Sequence, residues 1–120
     1  DPYDAAFTLP AELHKAGVKF AFGSFGNQFA RNLPYQAATA VAFGLPYEEA
    51  VKSVTLYPAQ IWGVDGQMGS LEEGKWADLM ITSGDPLEVR TEVKKLYIRG
   101  KDVDLDSRHT KLFKKYEARP

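Results

Sequence analysis

The chain has 120 residues, 44% of them hydrophobic and 26% charged, with a formal net charge of −1. That is one modest domain, too short for a large catalytic barrel of about 200 residues or more and long enough to bury roughly 68% of its unfolded surface. The composition is close to a soluble average and excludes collagen-like and disordered classes, and no apolar run approaches the ~20 residues that cross a bilayer.

There are no cysteines, which removes disulfides and thiolate metal sites and leaves the compartment open. The opening Asp1-Pro2-Tyr3-Asp4 is acidic and has no apolar core of a signal peptide. Charge is unevenly spread. Residues 1–89 hold five Lys/Arg against eleven Asp/Glu, for −6, and residues 90–120 hold ten against five, for +5. Such an asymmetry suits either an acidic partner or two surfaces of one molecule that attract each other, and the second reading is the simpler.

In chain order, Leu9-Pro10 opens a predicted helix that Gly17 ends, with Leu13 and Ala16 on its apolar side. Val18-Lys19-Phe20-Ala21-Phe22 alternates as a strand does. A Gly-rich loop, Gly23-Ser24-Phe25-Gly26-Asn27, follows it. Asn32 is placed to cap an alanine-rich helix with Pro34 in its first turn. A second helix starts at Pro46 with Glu48 and Glu49 in its first turn and Ala50, Val51 and Val54 as its buried stripe. Thr55 is placed to cap a third, short helix that Gly63 ends. Beyond it the pattern turns to β, with a short strand between Gly66 and Gly69, a turn at Glu73-Gly74, strands at Ala77–Thr82 and Val93–Ile98, and a return through Arg99-Gly100 to Val103. Ser107 caps a final helix with Leu112, Phe113 and Tyr116 on one side and Lys111, Lys114 and Lys115 elsewhere.

A lone crossover-type strand at 18–22 would leave backbone groups unpaired, so residues 1–44 read as built to pack against something further. The segments Val54-Thr55-Leu56-Tyr57-Pro58-Ala59-Gln60-Ile61-Trp62-Gly63 and Gly69-Ser70-Leu71-Glu72-Glu73-Gly74-Lys75-Trp76-Ala77-Asp78-Leu79 stand in series. Val93, Leu96, Ile98, Gly100, Lys101 and Val103 follow them, and Ala16-Gly17-Val18 and Arg31-Asn32-Leu33 precede them. This series, over about residues 9–104, resembles the C-terminal signature of the metal-dependent amidohydrolase superfamily, in its imidazolonepropionase-like and prolidase-like branch. The resemblance implies an α/β fold: the last part of a (β/α)8 TIM-type barrel at residues 1–62, part of a small β-sandwich domain at 63–105, and a C-terminal helix at 106–120. It also implies hydrolysis of carbon–nitrogen bonds, non-peptide or dipeptide, by water activated on a divalent metal such as zinc.

In that family the metal ligands come from strand ends, and only the last, an Asp, would fall in this chain. The resemblance puts it at Phe25, whose phenyl ring neither binds a metal nor takes a proton. His14 and His109 stand far apart in sequence and read as ordinary surface or half-buried residues. No catalytic and no metal-binding residue is therefore assigned. Asp78 reads as a structural carboxylate, its catalytic reading a distant second. For Arg31 and Asn32 two readings stand side by side: substrate contact at a barrel mouth, or Asn32 as a helix cap with Arg31 paired to an acid. Gly23–Gly26 lacks the Gly-Lys-Ser/Thr ending of a phosphate loop. The terminal Lys111, Lys114, Lys115 and Arg119 fit an amphipathic docking helix better than a nucleic-acid contact.

The reading is thus the C-terminal portion of an amidohydrolase-like hydrolase, not catalytic on its own and partnered by the remainder of that chain. Self-association is expected if it stands isolated, and neither nucleic acid nor membrane is an expected partner. The alternative is a catalytically inactive scaffold or binding protein with the same fold. A basic-tailed nucleic-acid module ranks third.

Overall fold

The computed structural model describes residues 2–118, so Asp1 and Arg119, which enter the charge readings, lie outside the described residues. The described residues form five α-helices and a three-stranded antiparallel sheet. Helix α1 spans Ala5–Lys15, five residues earlier than Pro10 suggests. The Asp4 carbonyl starts it by accepting from the amides of Phe7 and Thr8. Pro10 therefore sits inside the helix, where it removes one backbone hydrogen bond, and its ring is buried beside Ala11. Burial offsets the lost bond, and Phe7 stacks on Phe43 with ring centroids 5.2 Å apart.

Helices α2 (Leu33–Ala42), α3 (Tyr47–Val54) and α4 (Leu56–Ile61) follow in close succession. Neither expected cap forms at the start of α2 or α4. Asn32 lies in the αR region at the end of a 3-10 turn, Ala30–Asn32, whereas a side-chain cap needs β-region backbone. The Thr55 hydroxyl donates 2.8 Å to the Val51 carbonyl instead, which finishes α3 rather than starting α4. On α3 the fully buried residues are Ala50 and Ser53, with Val51 and Val54 half-buried. The shared core is made mainly of methyl groups: Ala11, Ala37, Ala40 and Ala50, closed by Leu45 and Leu87.

Residues 18–22 form no strand, because no neighbouring strand is present to complete a ladder. Phe20 and Phe22 keep the alternation and pack against the helical core, their rings edge to face at 5.7 Å. Lys19 points the other way, to Gln60 at 2.7 Å. Among the described residues, the amides of Lys19, Phe20 and Ala21 donate to no backbone carbonyl.

After α4 the expected strand at 66–69 is a series of turns. Strands β1 (Leu79–Thr82), β2 (Val93–Ile98) and β3 (Lys101–Asp102) then pair in that order, with Met80 opposite Leu96 and Leu79 opposite Tyr97. The strand expected from Ala77 thus begins two residues later. Asp78 instead accepts the Arg99 amide at 2.7 Å and pins the β2–β3 turn, the structural role read for it. None of the other described elements packs on the sheet. Its link to the helices runs through its longest connection. There Asp85 accepts the Leu87 amide at 2.9 Å and the Tyr47 hydroxyl at 2.8 Å, placing Leu87 in the helical core.

Helix α5 (Arg108–Glu117) starts as expected at Ser107, which forms a reciprocal capping box with Thr110. It buries no residue and packs against no other helix or strand among those described. The molecule is correspondingly open. It exposes 9205 Å², where a compact monomer of this mass exposes about 6,500 Å². Its radius of gyration is 16.9 Å, against about 14 Å for a compact domain of this length.

Two local constraints are directly testable. A Cβ on Gly69, at φ +97°, would lie 2.6 Å from the Ala59 Cβ and 3.2 Å from the Thr55 carbonyl oxygen, whereas one on Gly74, at φ +86°, would meet nothing within 4 Å. Gly69→Ala should therefore cost at least about 2 kcal/mol in urea unfolding, from overpacking plus backbone strain. Gly74→Ala, with strain alone, should cost about 1 kcal/mol.

The second constraint is Glu49. Its carboxylate accepts from Tyr57 at 2.5 Å, lies 2.9 Å from the Lys52 ammonium and 3.7 Å from the His14 ring, and so joins α1, α3 and α4. The Tyr57 hydrogen bond first, and then Lys52, hold its carboxyl below the ordinary 4.5. A depressed folded-state value means stability present above the unfolded value and lost as pH falls through the folded one. Glu49→Gln should thus lower stability at neutral pH and leave it unchanged where the carboxyl is protonated in both states. Urea melts of both proteins across the acid range read that convergence.

Candidate functional site

The loop between the 18–22 segment and α2 is where the family resemblance would put a barrel mouth. Phe25 stands there at φ +49°, a left-handed conformation rare for a bulky residue. Its ring lies 3.6 Å from where a Gly23 Cβ would be, and its remaining surface is open, with 105% relative exposure. Phe29 is 59% exposed on the same loop. Arg31 and Asn32 follow on the 3-10 turn, Arg31 exposed and Asn32 half-buried. Among the described residues neither side chain has a hydrogen-bond or ion-pair partner, so Asn32 caps nothing and Arg31 meets no acid. The loop thus offers a guanidinium and an amide beside two exposed phenyl rings. That set can bind a carboxylate-bearing or apolar ligand, and it contains no general base.

The residues present do not fit a divalent metal. Among those described, no three His, Asp or Glu side chains gather closely enough to hold one. His14 faces Glu49 on the helices, and His109 is exposed on α5. The Gly23–Gly26 loop leads into turns and the 3-10 segment rather than straight into an α-helix, so it does not form a phosphate cradle. Of the basic residues on α5, Lys114 pairs with Asp106 at 2.9 Å and Lys115 lies 5.9 Å from the Tyr116 ring centroid.

One feature escaped the sequence reading. The turns after α4 and the sheet enclose an apolar groove of 440 Å³, lined by Met68, Leu71, Leu79, Met80, Leu96 and Ile98 among others. A second hollow, bounded by Pro58, Ala59, Trp62 and Val64, shares Thr55, Met68 and Gly69 with it. Trp62 and Leu71 stand 82% and 79% exposed along this trough. The sequence signal was the pair of large apolar residues flanking turn glycines, where a solvated loop would carry polar ones.

Residues 6–103 match the model of the amidohydrolase family. Over 71 residues the chain is 34% identical to Amidohydrolase tasK of Hapsidospora irregularis, covering 59% of this chain and 7% of that protein. The crystal structure of an amidohydrolase from Thermotoga maritima MSB8 superposes with a TM-score of 0.77 at 35% identity, over 82% of this chain and 26% of that one. An uncharacterized protein of known structure superposes at 0.67 with 29% identity, over 81% and 26%. The chain spans about a quarter of the length of these solved relatives, and by the extent of the family match it belongs to the amidohydrolase family.

Proposed function

We propose that this chain serves as the closing segment of an amidohydrolase-fold protein, supplying scaffold and binding surface rather than catalytic groups. In this reading residues 1–62 form the end of the barrel, 63–105 part of the small β-sandwich domain and 106–120 the terminal helix, all within a longer polypeptide. Arg31 and Asn32 act as ligand contacts at the barrel mouth. Phe25 is the observation that carries the reading: an exposed phenyl ring stands where the resemblance puts the last metal ligand and proton acceptor. The unpaired amides of Lys19–Ala21 and the excess exposed surface support the placement beside further barrel strands.

A second reading is favoured by the similarity to Amidohydrolase tasK and to the Thermotoga maritima amidohydrolase. There the longer polypeptide hydrolyses carbon–nitrogen bonds of the non-peptide or dipeptide kind, with a divalent metal such as zinc held by residues outside this chain. The imidazolonepropionase-like or prolidase-like branch would set its substrate class.

Metal analysis of the longer polypeptide and turnover assays on dipeptides and lactams separate the two. The scaffold reading expects metal well below one equivalent and no hydrolysis. It also expects dipeptide binding that Arg31→Ala weakens about tenfold, the loss of one charge-assisted hydrogen bond. Metal-dependent turnover by the purified protein would overturn it in favour of the hydrolase.

A further inference from the structure

We propose that the connection between β1 and β2 is a latch: residues 83–92 dock on the helices and leave them as one body, with the Tyr47–Asp85 hydrogen bond as the catch and Leu87 as the bolt. Every contact it uses lies within the chain, so the latch is independent of what the longer polypeptide binds or hydrolyses. The loop holds its own shape. At its base the Ser83 amide donates 2.9 Å to the Glu92 carbonyl, and the Glu92 amide donates 3.0 Å to the Ser83 hydroxyl. Beside them the Thr82 hydroxyl donates 2.7 Å to the Gly84 carbonyl. Further out, the Glu88 amide donates to the Asp85 carbonyl and the Thr91 amide to the Glu88 carbonyl, both at 3.1 Å. Close ends and internal turns are the marks of a compact Ω-type loop. The register shift between Ile81 and Thr82 is where the ladder gives way to it.

Its hold on the helices is concentrated at one place. Of residues 83–92 Leu87 alone is buried, at 6% exposure, in the cluster of Ala11, Ala37, Ala40, Leu45 and Ala50. One oxygen of Asp85, Oδ1, accepts both the Leu87 amide at 2.9 Å and the Tyr47 hydroxyl at 2.8 Å. That single atom aims the leucine and ties it to the first residue of α3. Contacts that share an atom in this way are coupled and form or break together. Among the described residues the loop's backbone hydrogen bonds close on the loop itself, so undocking breaks none of them. Helices α1, α2 and α3 pack on one another without it, and the ladder between β1 and β2 is likewise separate. A segment with so few buried apolar contacts to lose opens far more readily than the whole fold.

Thiol labelling in the longer polypeptide tests the latch. The chain has no cysteine of its own, so Leu87→Cys and, separately, Leu45→Cys each place one thiol in the core, read by mass spectrometry of the labelled peptide. When reclosing outpaces reaction with iodoacetamide, the labelling rate reads the open population. The thiol of Leu87→Cys should react at least about thirtyfold faster than that of Leu45→Cys, which is released only when the helices part. Adding Tyr47→Phe should speed the first about fivefold, the loss of one hydrogen bond, and leave the second unchanged. Adding Tyr47→Phe to Asp85→Ala should bring no further gain, because the catch is already lost. Tryptic cleavage after the exposed Arg90 gives a second reading with Leu87 in place, and Tyr47→Phe should raise that rate about fivefold as well. Equal labelling of the two thiols overturns the inference. So do additive effects of Tyr47→Phe and Asp85→Ala, or a cleavage rate indifferent to Tyr47→Phe.

Discussion

Leu87 reaches out of the connection between β1 and β2 into the helical core, where it meets Leu45 and the alanine methyls, and that insertion fastens the sheet's long loop to the helices. Asp85 makes it possible by fixing the Leu87 amide and receiving the Tyr47 hydroxyl at the start of α3. A methyl-lined core lets helices approach closely, but each methyl contributes only about 0.8 kcal/mol of burial. Larger side chains would add more, and in this chain they lie mostly outside: Phe7, Leu9, Val18, Phe29, Trp62, Leu71 and Val89 are all exposed. Much of the large hydrophobic surface therefore lies outside the helical core.

The polar contacts compensate in part. Glu49 ties three helices through Tyr57, Lys52 and His14, and Lys19 reaches Gln60 while lying 5.5 Å from the Tyr57 ring centroid. On the sheet, Asp78 and the Arg99–Trp76 stack, 4.0 Å from guanidinium carbon to ring centroid, hold a turn whose Arg99 sits at φ +49°. These are local clamps. They fix where elements begin and turn, and none of them covers the apolar trough.

The same distinction explains what could be read from the amino-acid order. Features decided within a few residues were legible: the Ser107 capping box, the β2–β3 turn at Arg99-Gly100 and the structural role of Asp78 all follow from local hydrogen bonding. Features decided by distant partners were not. Val18–Phe22 has the composition of a strand and lacks a neighbour, so it keeps its alternation without a ladder. Pro10 signals a helix start locally, yet burial against α2 places it mid-helix. Asn32 and Thr55 have capping side chains, but backbone inherited from the preceding turn or helix denies them the geometry. At the candidate site the identities of Phe25, Arg31 and Asn32 were legible, while the exposure of the ring and the unpartnered polar groups were not.

Phe25 joins these threads. A left-handed backbone costs a β-carbon residue about 1–2 kcal/mol, and full exposure of a phenyl ring forgoes the burial that would offset it. Inside its own chain the residue thus has a conformational cost and little compensating packing beyond Gly23. The arrangement is economical only if the ring is covered by something that the loop faces. In the reading proposed above, that cover is the rest of a barrel or a ligand at its mouth. The loop thus presents an exposed phenyl ring in a left-handed backbone, with a guanidinium and an amide following it on the 3-10 turn.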